Sequence, residues 1–208
     1  MIDKICLFLT NKIRNEMPEV DDERAEIINY GLQNIIGEFP KIIIMFIVSW
    51  ILGIFKETLL TFVLLLIYRS ASGGFHLKTH IGCIISTCLT YCGIAFLSKY
   101  LIIEGVLRYI FVGIVWLLGF IMIKLYAPAD TENVPILRKK DRLKKQIISY
   151  ISLSIAMIIA IIIPDNTIAN ILIIGHFVQT LMITRLAYIL TNNKYGYEVY
   201  SNTSNEIV

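Results

Sequence analysis

Long apolar stretches, separated by short polar segments, are the feature that most constrains how this chain folds. About 20 apolar residues in a helix cross the hydrocarbon core of a bilayer, and several of these stretches approach that length. Only 17% of the 208 residues are charged, whereas a water-soluble domain carries about 25%, so a soluble core could not bury all the apolar surface. The sequence therefore predicts an all-α integral membrane protein. About six transmembrane helices are expected, over residues 42–55, 59–68, 81–97, 105–125, 147–163 and 168–190. The first of them follows a helix break that is expected at residues 39–41, around Pro40.

Positive charge predicts the orientation of these spans. Segment 138–145 carries six basic residues and one acidic residue, and a block of this kind belongs on the cytoplasmic side. Segment 69–80 lies two spans earlier and is then cytoplasmic too, as is the basic N-terminal region. An even number of spans must therefore separate residues 40 and 69, which favours two short helices over one long tilted helix. The turn at 164–167 is expected outside, with both termini cytoplasmic and the protein a multi-pass component of the cell membrane.

The first residues predict a helix with one apolar stripe, formed by Ile2, Ile5, Cys6, Leu9 and Ile13. Such an amphipathic helix suits the membrane interface, although a solvated helix packed on the body of the protein fits the pattern equally well. We expect a single domain over residues 1–208. It would comprise cytoplasmic or interfacial helices at 1–40, a transmembrane bundle at 41–190 and a mobile cytoplasmic tail at 191–208.

The four cysteines are predicted to be free thiols. Three of them, Cys83, Cys88 and Cys92, fall within one apolar stretch. Their spacing suits neither a disulfide framework nor a zinc site. No metal, cofactor or nucleic-acid partner is predicted.

Segment 68–83 contains the residues best suited to chemistry. Two adjacent glycines allow backbone conformations that are closed to other residues. Two histidines and a cysteine follow at the mouth of the predicted third span: His76, His80 and Cys83. A thiolate attacks carbonyl groups, and a neighbouring imidazole can take the thiol proton and later protonate a leaving amine. Taken alone the pattern is weak, because membrane cysteines are usually packing residues and loop histidines are usually solvated.

Spacing does not choose between the two histidines. His76 and Cys83 are seven residues apart, which is about 10 Å along a continuous helix, whereas a direct hydrogen bond needs about 3 Å. His80 is three residues from Cys83 and would be the nearer neighbour on an unbroken helix. If His76 is the base, the third span must begin after residue 76.

Residues 72–79 together with Cys83 resemble the signature of the accessory gene regulator protein B (AgrB) family, membrane endopeptidases that mature quorum-sensing peptide precursors. Residues 126–133, followed by the basic block, resemble the cytoplasmic loop after the family's fourth span. The region 30–38 resembles the family more loosely. The likeness covers essentially the whole chain, but His80 stands where the family more often has another polar residue.

The resemblance implies that Cys83 is the nucleophile and His76 the general base. The substrate would be an AgrD-like propeptide with an amphipathic leader, a signal region containing a cysteine, and an acidic C-terminal tail. Cys83 would cut at the start of the tail and hold the signal portion as a thioester, which the substrate's own cysteine would convert into a cyclic thiolactone.

The resemblance also implies a homodimer, and membrane lipid is an expected partner. The candidate substrate-binding residues are Gln33, Gly74, Arg138, Lys139 and Lys140. The basic block could dock the acidic tail of the substrate. A topology determinant beside anionic lipid explains the block on its own without any substrate and is the favoured interpretation. No third catalytic group stands out, with Gln33 and Ser72 as candidates only.

Other polar residues have structural explanations. His176 and Gln179 are expected to form hydrogen bonds across helices in the last span. Asp130 and Glu132 are expected in a solvated turn. The alternative to a peptidase is a non-enzymatic membrane protein, either a small transporter or a signal sensor. A transporter would show repeated halves, and none is found in this sequence.

Overall fold

The computed structural model describes residues 2–17, 20–77, 79–101, 103–132 and 135–200. Within these ranges the chain is all helix without a named strand, so the predicted all-α class is confirmed. The described helices are α1 (Ile2–Glu16), α2 (Asp22–Ile51), α3 (Phe55–Ser72), α4 (His80–Tyr100), α5 (Val106–Tyr126), α6 (Lys139–Ile162), α7 (Asn166–Met182), α8 (Arg185–Leu190) and α9 (Gly196–Tyr200).

Three of the described helices are long and apolar enough to cross a membrane: Ile81–Tyr100, Val106–Tyr126 and Lys139–Ile162. Helix α7 is a shorter apolar helix. Large apolar side chains cover the outer faces, as Leu89, which is 71% exposed, and Leu117, which is 67% exposed, illustrate. Apolar surface on this scale is unfavourable in water and suits a lipid surrounding.

Helix α7 lies at the centre of the bundle, packed against α3, α4, α5 and α6. Its side chains Ile171, Leu172 and Ile173 are almost fully buried. A Cβ atom added at Gly175 would lie 3.0 Å from Leu65 of α3, so the glycine permits a close approach of the two helices. Small residues commonly serve this purpose where helices pack in membranes.

The bounds of several helices differ from those predicted. Residues 42–68 do form two helices, but Pro40, where a break was predicted, lies inside the continuous helix α2. Proline removes one hydrogen bond, and packing of α2 against α1 and α4 supports the helix on either side. The predicted last span ends at Met182, not at residue 190. The Thr184 side chain accepts a hydrogen bond from the Ala187 amide at 3.3 Å and caps the separate helix α8.

Helix α1 forms as predicted and packs on α2, with Cys6 and Thr10 buried. Ile5, Leu7 and Phe8 stay exposed. This arrangement fits the alternative in which α1 packs on the body of the protein, and it also leaves an apolar surface that could meet lipid.

The first part of the predicted tail packs on the bundle. Tyr195 is 8% exposed, stacks on Tyr188 with ring centroids 4.1 Å apart, and donates to the Ile183 carbonyl at 2.9 Å. Buried aromatic area therefore fixes α9 on the bundle. Residues 201–208 of the predicted tail lie outside the described ranges.

Candidate active site

Cys83 and His76 line the same cavity, which has a volume of about 270 Å³ and lies among α2, α3, α4 and α7. Most of its wall is apolar, with contributions from Phe62, Leu65 and Phe75. A limited set of polar side chains interrupts that wall: Glu38, Arg69, His76, Cys83, Ser86, Thr87, Thr90, Tyr91 and Gln179. An apolar pocket with a few converging polar groups is the usual form of a binding site.

Cys83 lies in the first turn of α4. Thr79 caps this helix, since its side chain accepts from the Gly82 amide at 3.1 Å and its carbonyl accepts from the Cys83 amide at 2.9 Å. The cysteine is a partly buried free thiol. The positive end of the α4 helix dipole lies at this first turn, where it stabilises negative charge that develops during a reaction.

His76 lies on the loop between α3 and α4. Because α4 begins at His80, no helix runs unbroken from His76 to Cys83. The loop turns at Gly73 and Gly74, whose φ angles are 76° and 139°. A side chain is strained at these angles, which explains the two glycines of the sequence motif.

The Arg69 guanidinium holds this loop in place. It donates to the carbonyls of Gly73 and Phe75, both at 3.2 Å, and to Gln179 at 3.4 Å. Gln179 in turn donates to the Gly73 carbonyl at 2.8 Å and to Ser72 at 3.0 Å. These contacts from α3 and α7 fix the backbone immediately before His76.

The segment after α5 supports the loop from the other side. The Ala129 amide donates to the Ser72 carbonyl at 2.8 Å, and the Gly74 amide donates to the Ala129 carbonyl at 2.9 Å. The Tyr188 hydroxyl also donates to the Ala129 carbonyl, at 2.9 Å. The two sequence motifs, at 72–79 and 126–133, therefore meet in space.

Asp130 is not in a solvated turn, which corrects the prediction. Its side chain is fully buried, forms an ion pair with Arg142 at 3.2 Å and accepts from the Ile136 amide at 2.9 Å. A buried carboxylate needs such partners, because leaving it unpaired costs several kcal/mol at least. Glu132, by contrast, is exposed.

The electrostatic surroundings of His76 favour its neutral form. The side chain remains exposed at the mouth of the cavity, but nearby protein atoms desolvate the ring. This desolvation, with a smaller contribution from the Arg69 guanidinium, lowers the pKa of His76 from 6.5 to about 4. At neutral pH the imidazole is therefore free to accept a proton.

The predicted site residues fall into three groups. Cys83 and His76 line the cavity, and Gly74 belongs to the loop beside it. Ser72 is buried and bonded to Gln179 without lining the cavity. The side chains of Gln33 and His80 lie outside the described part of the chain.

The basic block is separate from the cavity that holds Cys83. Arg138, Lys139 and Lys140 are exposed at the start of α6. Arg138 lines a second, open cavity of about 800 Å³ together with Lys144 and Lys145. Neither Cys83 nor His76 contributes to that cavity.

Arg69, Gln179 and Glu38, which all line the cavity, were missed as site residues in the sequence analysis. Gln179 was predicted to bond across helices, and it does so with α3. His176, predicted to do the same, instead donates to Leu172 of its own helix at 2.8 Å and stacks on Tyr68. Arg69 could have been noticed as a charged residue at the end of an apolar stretch. Its partner Gln179, however, is distant in the sequence, so the contact itself was not predictable.

The known proteins that this sequence resembles all belong to one family. The family model for accessory gene regulator B matches residues 6–183. An AgrB-like protein of Clostridium acetobutylicum is 30% identical over 81% of this chain and 78% of its own length. An AgrB-like protein of Clostridium perfringens is 33% identical over 70% of each chain. The accessory gene regulator protein B of Staphylococcus aureus is 28% identical over 86% of this chain and 90% of its own. No solved structure matches this chain. The extent of these matches shows that the chain belongs to the accessory gene regulator B family.

Proposed function

We propose that this protein is a membrane cysteine endopeptidase that removes the C-terminal tail of an AgrD-like peptide precursor and promotes its cyclisation to a thiolactone. The observation that carries this proposal is that Cys83 and His76 line one cavity, with the cysteine in the first turn of α4. A thiol in the first turn of a helix, in one cavity with a neutral imidazole, has the components that acyl transfer requires.

Family membership supports the biological setting. Members of the accessory gene regulator B family act in the quorum-sensing system of that name, together with an AgrD propeptide. The long apolar helices and the family together indicate a membrane protein. We extend this to a multi-pass bundle of about six spans in the cell membrane. The cavity would face the cytoplasm, where a newly synthesised precursor is available.

The first chemical step is formation of an acyl-enzyme. His76 takes the thiol proton, and the Cys83 sulfur attacks the carbonyl carbon at the start of the precursor tail. The new S–C bond forms and the amide C–N bond breaks. The leaving amine receives the proton from the His76 imidazolium. The tail departs, and the signal portion stays on Cys83 as a thioester.

The second step closes the ring. The thiol of the precursor's own cysteine loses its proton and attacks the thioester carbonyl, so that one S–C bond forms while the bond to Cys83 breaks. Cys83 then recovers a proton. Exchange of one thioester for another is nearly isoenergetic, so the energy of the activated bond is kept in the product. The apolar wall around Phe62, Leu65 and Phe75 favours this outcome because it restricts the access of water.

Recognition of the precursor would involve groups outside the cavity. Gly74 directly precedes Phe75 and His76, which line the cavity, and Gln33 on α2 is a further substrate-binding candidate. The exposed amino groups of the block at 138–145 would attract the acidic tail. The exposed apolar face of α1 would lie against lipid, and the active form would be a homodimer.

The test is processing of a co-expressed AgrD-like precursor by cysteine variants. Cys83→Ser should abolish cleavage, because a serine hydroxyl beside a neutral imidazole is a much weaker nucleophile than a thiol. Cys92→Ala is the matched control, since Cys92 is buried on the same helix and packs with Met45 and Ala95. It should retain most of the activity. Normal cleavage by a membrane-inserted Cys83→Ser protein would contradict the proposal.

A further inference from the structure

An ion pair on α2, between a buried lysine and a half-exposed glutamate, lies at the cavity that holds the candidate nucleophile. Lys41 is only 7% exposed and donates to the Glu38 carboxylate at 2.6 Å, one turn earlier on the same helix. Burying an ammonium group is costly unless a partner compensates it. A lysine at a buried position therefore needs a local explanation, which the net positive charge of the chain does not provide.

The surroundings of Lys41 provide one. Helix α2 packs against α4, and Glu38 lines the cavity together with Cys83. Lys41 donates to Glu38 and precedes Ile42, and both of these residues line the cavity that holds Cys83. Its ammonium group is therefore placed on the side of α2 that faces this cavity, where the charge of a Cys83 thiolate would act on it.

We propose that the Lys41 ammonium group stabilises the thiolate form of Cys83, and that Glu38 positions Lys41 for this interaction. The inference rests on the proposed role of Cys83 as nucleophile. In the acylation step the S–H bond of Cys83 breaks and the proton moves to His76. Lys41 stays protonated throughout and compensates the negative charge left on sulfur.

The net effect of the pair on the thiolate is attractive. The Lys41 side chain is 9% exposed whereas that of Glu38 is 49% exposed, so water screens the carboxylate more than the ammonium group. Other ionisable groups also face the cavity from the described elements packed around Cys83: Arg69 of α3, His76 of the loop and Tyr91 of α4. Arg69 is engaged by the loop carbonyls and Gln179, and His76 is uncharged at neutral pH. Among the described residues, Lys41 is then the cation that we assign to the sulfur.

The experiment measures the alkylation of Cys83 by iodoacetamide as a function of pH. The full-length protein is reconstituted in lipid nanodiscs, and peptide mass spectrometry reports the rate at Cys83. Only the thiolate reacts, so the midpoint of the rate–pH profile reports the ionisation of the thiol. Lys41→Met should move this midpoint to higher pH by about one unit and slow alkylation at pH 7 about tenfold. Lys41→Arg should restore most of the rate. Lys41→Gln can still donate to Glu38 and replaces the Met variant if that variant does not fold. The same upward shift of the midpoint and the same slower alkylation are expected for it.

Lys99→Met is the matched control. Lys99 forms a comparable pair with Glu57 at 3.2 Å, but it lies at the other end of α4, about 24 Å from Cys83 along the helix axis. Its loss should leave the Cys83 profile unchanged. An unchanged midpoint in Lys41→Met and Lys41→Gln would overturn the proposal. So would a change in rate without a change in midpoint, since that reports altered access to the thiol.

Glu38→Gln tests the positioning role separately. If Glu38 acts by holding Lys41, its loss should shift the midpoint upwards by less than Lys41→Met does. A downward shift would show that the carboxylate acts on the sulfur through its own charge, and would overturn the positioning role. None of these measurements needs a peptide precursor. Failure of the Lys41 proposal is therefore distinguishable from failure of the proposed peptidase function.

Discussion

Substitution of Gly73 by alanine should loosen the loop that carries His76. Gly73 has a φ angle of 76°, and a Cβ atom added there would lie 2.9 Å from the Ala129 carbonyl carbon and closer still to its oxygen. Because the obstacle is backbone, it cannot rotate away. The loop and the segment after α5 must then separate, which breaks the two hydrogen bonds that Ala129 forms with Ser72 and Gly74.

The expected cost follows from these contacts. A left-handed backbone costs a residue with a Cβ atom about 1–2 kcal/mol, and each lost backbone hydrogen bond removes about 0.5–1.5 kcal/mol. Together the free energy of unfolding should fall by about 2–5 kcal/mol. At about 2–4 °C per kcal/mol for a chain of this size, the midpoint of thermal unfolding should fall by about 10 °C.

The assay is thermal unfolding of the purified protein in detergent, combined with processing of the precursor. Gly93→Ala is the control, because a Cβ atom at Gly93 of α4 meets nothing within 4 Å. It should leave the midpoint and processing unchanged or raise the midpoint slightly. Gly73→Ala should lose stability and processing together. Wild-type behaviour of Gly73→Ala in both assays would refute the argument that the junction with Ala129 holds the loop.

Two further outcomes are expected. Desolvation and Arg69 lower the pKa of His76 to about 4, so the imidazole stays neutral as the pH falls from 7 to about 5. The value of kcat/KM for cleavage should therefore show no acid midpoint near pH 6.5 and should fall only near pH 4. A midpoint near 6.5 would argue against this environment. Cysteine-accessibility labelling should find residues 69–80 and 126–146 in the cytoplasm and 164–167 outside, whereas labelling of 69–80 from outside would exclude a cytoplasmic site.

Local sequence patterns predicted the helices better than their ends. Apolar stretches predict where helices form because burial in lipid or in the bundle depends on composition over many residues. Helix ends depend on single contacts. Pro40 was predicted to break α2, yet packing on both sides carries the helix through. The cap formed by Thr184 ends the last long helix earlier than hydropathy indicates.

The polar contacts of the site were less predictable still. Asp130 looked like a solvated turn residue, because its partner Arg142 lies within a basic block that appeared to face only water or lipid. Tyr195 lay in a polar segment, and only tertiary packing shows that it is buried. Ion pairs and aromatic contacts of this kind join separate elements, so no local pattern reports them.

The candidate site was predictable only in part. His76 and Cys83 were identified from a short motif because they lie close together in the sequence, on either side of a helix start. Lys41 comes from α2, far away in the sequence, and was interpreted there as part of a helix break. Its proximity to Cys83 depends on how α2 packs on α4, which spacing alone does not reveal.

The most direct test of the account is capture of the thioester on Cys83. The protein is incubated with the precursor, quenched in acid, and examined by mass spectrometry for the signal portion attached to Cys83. We expect the adduct in the wild-type protein and in His80→Ala, and not in His76→Ala, because the thiol then loses its proton acceptor and the leaving amine its donor. General acid–base catalysis of this kind contributes about 10²–10⁴-fold. An adduct that forms normally in His76→Ala but disappears in His80→Ala would contradict the assignment of His76, and cleavage without any adduct on Cys83 would contradict the mechanism.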